Sequence, residues 1–326
     1  MRTLIIFLCL NCVSGNVISQ CFSSPGNPIG GTANTGILHK NALRVITFYR
    51  YSISDRYFEG DQKVDMVKVD KAIYNYVGTI LGYGISKKLT LETEFGYFIN
   101  KKQWFNESLN LVEPLKEGYG FSNAVISAKL NIYKNAEKRF GITTSAGAKI
   151  PMRQHALIVN NTELSTDLQP STGSYGIVIQ TFILKERPFQ ALRFFLLNRC
   201  EFNFASSPDF FLNGVQQKFG NMFYTSFIIS KHLHFRHEWL TENWTAILQI
   251  RNEVRAKDRQ DGEIMDESGN CSFFVSPQLN YTHREKWNIS ALLDFPVYQY
   301  LNGVQLAGKF AFSVSITRDF IRKEDK

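Results

Sequence analysis

Histidine side chains are the first candidates for chemistry in this sequence, because imidazole can act as a general base or bind a metal ion. The chain has six of them, and three, His232, His234 and His237, have a spacing that resembles a metal cluster. On one strand His232 and His234 would share a face, whereas His237 would point to the other face. The three residues are better interpreted as solvated histidines near a turn than as metal ligands. We therefore expect no metal, no cofactor and no catalytic residue.

Charged side chains at alternating positions are the second set of candidates. Residues two apart share one face of a strand, as Glu92 does with Glu94. The full set is Glu92, Glu94, Lys129, Lys149, Arg193, Arg199, Glu201, Arg251, Glu253, Arg255, Asp294 and Lys309. The free-energy cost of burying any one of these charges alone would be prohibitive, so the charged side chains must pair across strands or stay hydrated. Two interpretations stay open: a charged constriction that tunes the selectivity of a pore, and an ion-pair network that fills a narrow interior.

In the segments that carry these charges, apolar and polar residues alternate with a period of two. In Leu89–Ile99 one parity is almost entirely apolar and the other holds Thr90, Glu92 and Glu94. Similar patterns recur to the end of the chain, and no window shows an amphipathic helix. With 44% hydrophobic and 14% aromatic residues the chain is too apolar to be disordered. It also lacks the repeated runs of about 20 apolar residues of a helical membrane protein. The sequence predicts an all-β protein.

The connections between strands favour a transmembrane barrel over a soluble sandwich. Short charged turns recur at Ser86–Lys88, Lys134–Lys138, Lys185–Pro188, Thr241–Asn243 and Arg284–Lys286. Long polar segments alternate with them at Ser54–Val67, Lys101–Glu117, Met152–Pro170, Ser206–Val215 and Lys257–Asn270. Tight periplasmic turns and long external loops give this asymmetry in outer-membrane barrels, whose strands also end in aromatic girdles. We predict an antiparallel up-and-down barrel of about twelve strands; ten or fourteen remain open, because 217–256 is ambiguous.

The two ends of the chain carry further signals. Arg2, the apolar run Leu4–Val13 and the small residues after it are typical of a signal peptide, which we place at 1–19. Residues 20–40 are rich in turn formers and predict an N-terminal plug or a periplasmic leader; the plug candidates are Pro25, Asn27, Pro28, Gly30 and Gly31. The barrel would span 41–320, followed by a tail at 321–326. The last strand ends at Phe320, like the signal that the barrel-assembly machinery reads.

The segment from Cys21 to Asn34, the barrel pattern and Trp287–Gly303 resemble outer-membrane proteins of Bacteroidetes type. These are grouped with the transporter family named for the MetA pathway of phenol degradation, distantly related to long-chain fatty-acid channels. The resemblance covers most of the chain after the signal peptide, although its motifs are diffuse. It implies an outer-membrane barrel that passes small, partly apolar compounds.

These observations predict a bacterial outer-membrane channel for passive passage of small molecules, including hydrophobic or aromatic ones. The partners expected are outer-membrane lipid and the solute. A nucleic-acid partner is not expected, because the basic residues are scattered despite a net charge of +8. Two alternatives stay open: a structural or adhesive barrel with no transport role, and, less favoured, an outer-membrane hydrolase. No histidine lies in the sequence context that outer-membrane phospholipases show.

Overall fold

The alternating segments of the sequence form antiparallel strands in a computed structural model, which describes residues 36–65, 68–109, 113–233, 243–283 and 287–321. The predicted signal peptide, the five plug candidates, His234, His237 and residues 322–326 lie outside this range. No helix among the described residues is long and apolar enough to cross a bilayer.

One large sheet holds the long strands. They are β1 (Ala42–Gly60), β3 (Val69–Gly84), β4 (Leu89–Phe105), β6 (Ala124–Asn135), β7 (Phe140–Ile150), β10 (Gly176–Arg187), β11 (Leu192–Asn203), β13 (Met222–His232), β14 (Trp244–Arg255), β17 (Asn270–His283) and β18 (Trp287–Ile321). Two strands, β2 (Gln62–Val64) and β5 (Leu115–Phe121), extend the sheet beside β1 and β4. The loops contain β8 (Ile158–Val159), β9 (Thr162–Glu163), β12 (Gln217–Lys218), β15 (Arg259–Gln260) and β16 (Glu263–Ile264), and two single 3-10 turns lie at Glu107–Leu109 and Pro188–Gln190.

The sheet closes on itself because β1 pairs with the end of β18, from Ala42 opposite Ile321 to Tyr57 opposite Leu306. β18 is 35 residues long and turns back at Asn302-Gly303, where Gly303 has a φ of +66°. Its first arm, 287–301, pairs with β17 and its second with β1. Within the described residues, eleven strands therefore form the closed wall. Because β18 crosses the wall twice, once with each arm, the wall has twelve crossings. The predicted barrel of about twelve strands is confirmed.

The start of β1 and the end of β18 lie at the same end of the barrel as the tight turns, among them 85–88, 136–139 and 188–191. In outer-membrane barrels this is the periplasmic end. The longer connections 151–175, 204–221 and 256–269 lie at the other, extracellular end.

Two of the predicted loops are partly wrong. β1 continues to Gly60 and β4 to Phe105, so that strand replaces much of the segments Ser54–Val67 and Lys101–Glu117. Their polar composition suggested loops. Neighbouring strands run equally far, however, and their backbone groups keep hydrogen-bonding partners beyond the apolar layer.

The two faces of the wall differ in polarity. Large apolar side chains such as Leu91, Ile126, Leu248 and Ile316 are exposed on the outer face. The inner face is rich in buried serine, threonine, glutamine and charged residues, including Ser226, Ser276 and Ser313. A soluble sandwich would bury the apolar parity, whereas this barrel buries the polar one, as a membrane barrel with a polar interior does.

Candidate functional site

The inner face of the barrel carries the candidate functional residues, and ion pairs across strands organise them. Asp294 is 1% exposed and lies between two arginines. Its Oδ2 is 2.7 Å from Nη2 of Arg50 and 2.9 Å from Nη2 of Arg251. Ser276 also donates to the Asp294 carboxylate. Arg251 pairs in turn with Glu253, at 2.7 Å from Nε to Oε1.

A second network joins β4, β7 and β11. Arg199 lies 3.0 Å from Oε2 of Glu94 and 2.8 Å from Oε1 of Glu201. Lys149 lies 3.8 Å from Glu201 and donates to the side-chain oxygen of Asn203. Arg199, Glu201 and Lys149 are all nearly fully buried. Nη2 of Arg199, although buried, has no hydrogen-bond partner among the described residues.

Lys129 forms a third pair, with Nζ 2.6 Å from Oε1 of Glu92. Among the described residues of these three networks, cations and carboxylates are equal in number. The cations are Arg50, Lys129, Lys149, Arg199 and Arg251, and the carboxylates are Glu92, Glu94, Glu201, Glu253 and Asp294. Because every one has an oppositely charged neighbour, their burial avoids the cost of an isolated charge.

Nine of the twelve predicted interior charges therefore belong to these networks. Arg255 pairs with Asp258 at 2.6 Å, near the extracellular end. Arg193 and Lys309 differ from the others, because their side chains are 61% and 39% exposed. Arg193 pairs with Glu186 at the periplasmic mouth and Lys309 with Asp55 at the other end. That these side chains line a conducting path stays a prediction.

Arg50 belongs to the site, yet the prediction omitted it. Its signal is its position between the outward-facing Tyr49 and Tyr51, which places it on the inner parity. A period-two pattern identifies such a residue only when the apolar parity is known to face outward.

An aromatic cluster on the inner face was also missed. It consists of Phe48, Tyr57, Tyr74, Tyr76 and Phe98, all buried on β1, β3 and β4. The rings of Tyr76 and Phe98 lie 4.8 Å apart. Gly78 and Gly96 make room for it, because a Cβ at Gly78 would collide with the Phe48 ring and one at Gly96 with the Tyr76 hydroxyl. The alternating pattern predicted apolar side chains on the outer face only, and therefore did not predict these inward-facing rings.

A register irregularity in β4 turns Lys101 into the barrel. The pairing of β4 with β3 shifts between Phe98 and Asn100, and such a bulge inverts the alternation beyond it. Nζ of Lys101 consequently lies 4.9 Å from the centroid of the Phe98 ring and 5.1 Å from that of Tyr74. Its neighbour Lys102 stays partly exposed and pairs with Glu117.

The connection from β7 to β10, residues 151–175, folds into the extracellular mouth; we call it the inserted loop. Its Leu168 is fully buried and its backbone lies against Gly118, on the inner side of β5. Lys101 donates to the Gln169 carbonyl at 2.8 Å. Asn123 accepts hydrogen bonds from Ser171 at 2.7 Å and from the backbone of Thr172 at 3.2 Å. The predicted external loop therefore lies at the extracellular end, as expected, but its residues 168–172 pack against the inner face of the mouth.

Asp167 of the inserted loop is a titratable group at this contact, beside Lys101. Burial raises the pKa of its carboxyl to about 7, although the nearby Lys101 and Arg255 oppose the shift. Asp258 adds to the rise and Gln103 hydrogen-bonds the carboxylate. Tyr57, on β1, is close enough to interact with the same carboxylate.

The periplasmic mouth contains the last described residues of the predicted plug or leader. Leu38 is 4% exposed, and its backbone N–H donates to Oγ1 of Thr90 at 3.0 Å. Leu38 also contacts the inner face at Gly82. Residues 36–38 thus enter the barrel mouth. Whether the preceding residues 20–35 plug the lumen stays a prediction.

No group of three or more His, Cys, Asp or Glu side chains suited to a metal ion occurs in the described part of the chain. Of the three histidines with cluster-like spacing, His232 lies at the end of β13, with Nδ1 3.4 Å from Oγ1 of Thr245. The other two lie outside the described residues.

Solved structures provide the comparison with known proteins. The chain is similar to the COG4313 outer membrane channel from Pseudomonas putida F1, with a TM-score of 0.69 and 14% identity, over 90% of this chain and 100% of that one. Weaker likenesses, at TM-scores of 0.43 and 0.40, are to the NanC porin, with 9% identity over 85% of this chain and 98% of that one, and to the CymD monoaromatic hydrocarbon channel, with 6% identity over 88% and 90%. The first likeness confirms the predicted fold, that of a bacterial outer-membrane barrel.

No family model matches the chain, and no curated protein matches it. Membership of the family named for phenol degradation, and an origin in Bacteroidetes, therefore stay predictions.

Proposed function

We propose that this protein is an outer-membrane channel for the passive passage of small molecules that are partly apolar. The observation that carries the proposal is the polarity of the barrel wall, which has an apolar outer face around a polar interior. Leu38 contacts the inner face at one mouth and the inserted loop contacts it at the other. Such a wall fits a lipid layer on the outside and a hydrated path on the inside.

The interior chemistry supports solutes of mixed polarity. Ion pairs join side chains of β1, β4, β6, β7, β11, β14 and β18, and the wall at β1, β3 and β4 also presents aromatic rings. A barrel of about twelve strands is too narrow for the open water channel of a 16-stranded porin. Passage would therefore be selective for small molecules and would require the inserted loop to move.

Conductance across planar bilayers tests the proposal with the full chain. We expect discrete ion-conducting events, and we expect small aromatic solutes to reduce the current more than aliphatic solutes of similar size. A structural or adhesive barrel would give no events, either in the wild type or after loosening the inserted loop with Lys101→Met. Release of fatty acid from phospholipid vesicles would favour the hydrolase instead.

The proposed partners include the assembly machinery that inserts the barrel, through the final strand. Phe320 is 41% exposed on the outer face and lies opposite Leu43 in β1, where the barrel closes. Phe320→Ala should lower the yield of heat-modifiable barrel in the outer membrane. Ile316→Ala, on the same exposed face, is the control; equal yields from both variants would contradict a special role for Phe320.

A further inference from the structure

Two cavities open into the periplasmic mouth, with volumes of about 360 and 350 Å³. The first lies against β6, β7 and β10, with Ile37 on its remaining side. The second lies against β10, β11, β13 and β14. Arg139 and Glu186 line both cavities, so the two adjoin at this ion pair, and we call them together the vestibule. The volume of each lies in the range of small-molecule sites.

The vestibule has an apolar floor. Phe140, Phe182 and Leu184 line the first cavity. Phe182 is 8% exposed and stacks on Phe195, with ring centroids 5.4 Å apart. The ring is thus packed on one side, and the part of it that lines the cavity lies beside Leu184, so that the two side chains offer an apolar contact to a ligand. A single aromatic ring or a short acyl chain fits this floor.

The rim of the vestibule has more positive than negative charge. Glu186 is shared by two arginines, at 3.2 Å from Arg193 and 3.9 Å from Arg139. The two arginine side chains are 61% and 52% exposed, so the guanidinium donors that Glu186 does not use are accessible. Lys134 adds a further cation to the lining. This contrasts with the balanced ion pairs deeper in the barrel, whose arginines are buried.

An arginine fork matches the geometry of a carboxylate and binds it in preference to a neutral group. We infer that the periplasmic vestibule is a binding site for amphipathic anions: a carboxylate between Arg139 and Arg193, with its apolar body on Phe182. The inference deepens the proposed function, because it names the class of solute that the channel would hold before release. Glu186 would then compete with the solute carboxylate for the same two guanidinium groups.

Binding of benzoate to the full chain in lipid nanodiscs tests the inference, with benzamide as the neutral analogue and empty nanodiscs as the blank. Saturation-transfer NMR titration gives the apparent Kd. We expect benzoate to bind more tightly than benzamide. Arg193→Gln should weaken benzoate binding about tenfold, as expected for loss of a charge-assisted hydrogen bond, and should leave benzamide binding unchanged.

Two further variants distinguish a ligand site from a general charge effect. Glu186→Gln should tighten benzoate binding, because it releases both arginines. Arg187→Gln, next to Glu186 but not among the residues lining either cavity, should change nothing. Equal affinities for benzoate and benzamide, or equal effects of Arg193→Gln and Arg187→Gln, would overturn the inference.

The two proposals fail separately. If the protein conducts but binds benzoate and benzamide equally, the proposed anion site is rejected and the proposed channel function stands. If benzoate binds as expected but the barrel does not conduct, the proposed anion site is supported and the proposed channel function is rejected. Arg187 and Arg193 are exposed and Glu186 is partly exposed, and heat-dependent mobility on gels checks that each variant folds.

Discussion

Arg50 and Asp294 are 244 positions apart in the chain, yet Nη2 of the arginine lies 2.7 Å from Oδ2 of the carboxylate. Arg251 contacts the same oxygen at 2.9 Å. Three segments of the wall, β1, β14 and the first arm of β18, thus meet at one buried carboxylate. The barrel interior is therefore held by charges that strand closure brings together.

The first prediction concerns this carboxylate. Asp294→Asn should destabilise the folded barrel by about 3–5 kcal/mol, because it leaves Arg50 and Arg251 buried without a counter-charge at that point. Denaturant unfolding in detergent measures the change. Asp266→Asn is the control, because its pair with Lys257 lies on the surface, with the two side chains 56% and 37% exposed, and its loss should cost only about 0–1 kcal/mol. Equal losses would mean that the Asp294 network does not stabilise the fold.

The second prediction concerns the inserted loop. Lys101→Met keeps the aliphatic stem over the Tyr74 and Phe98 rings but removes the hydrogen bond to the Gln169 carbonyl. The loop should open more often, and the mean conductance in planar bilayers should increase. Lys102→Met is the matched control on the same strand, since Lys102 pairs with Glu117 away from the loop. An unchanged current in Lys101→Met would show that this contact does not hold the inserted loop in place.

The third prediction is a pH dependence. Burial raises the pKa of Asp167 from an ordinary 3.8 to about 7, so the closed loop holds a proton that an open, hydrated Asp167 would release. Closure is thus favoured at low pH, and this preference is lost as the pH rises towards 7. The surrounding groups are Lys101, Arg255, Asp258, Gln103 and Tyr57.

Conductance should therefore increase between pH 5 and pH 8, both values being about a pH unit or more from the folded-state pKa. Asp167→Asn stays neutral at every pH and should abolish this part of the response. A pH response of the same size in the variant would assign it to another group.

The fourth prediction concerns the space that glycine leaves for the aromatic cluster. Gly78→Ala would drive a Cβ into the Phe48 ring, and overpacking of this kind costs about 1–3 kcal/mol. Gly141→Ala is the control on β7, where the nearest atom to an added Cβ is the Tyr133 carbonyl oxygen at 3.8 Å. Thermal unfolding followed by gel mobility compares the two. Equal stability would show that the Phe48 ring can shift without cost.

The sequence by itself predicted most of the membrane-crossing strands and their order, although not how far β1 and β4 continue beyond them. Alternation in Leu89–Ile99, and in the similar segments after it, fixes where strands cross the membrane, because side chains on a strand point to opposite faces in turn. Alternating short and long connections fix the up-and-down topology. Both are local properties of the chain, and finding them does not require knowing which residues contact each other in the folded protein.

The tertiary structure alone decided which residues meet. Alternation cannot show that Arg50 reaches Asp294, because that contact depends on closure of β1 against β18. It cannot place Lys101 inside, because one bulge near Ile99 inverts the pattern beyond it. Nor could composition show that 151–175 folds inward: a polar segment satisfies its backbone equally well in water or against Lys101 and Asn123, and only the shape of the closed barrel selects between the two.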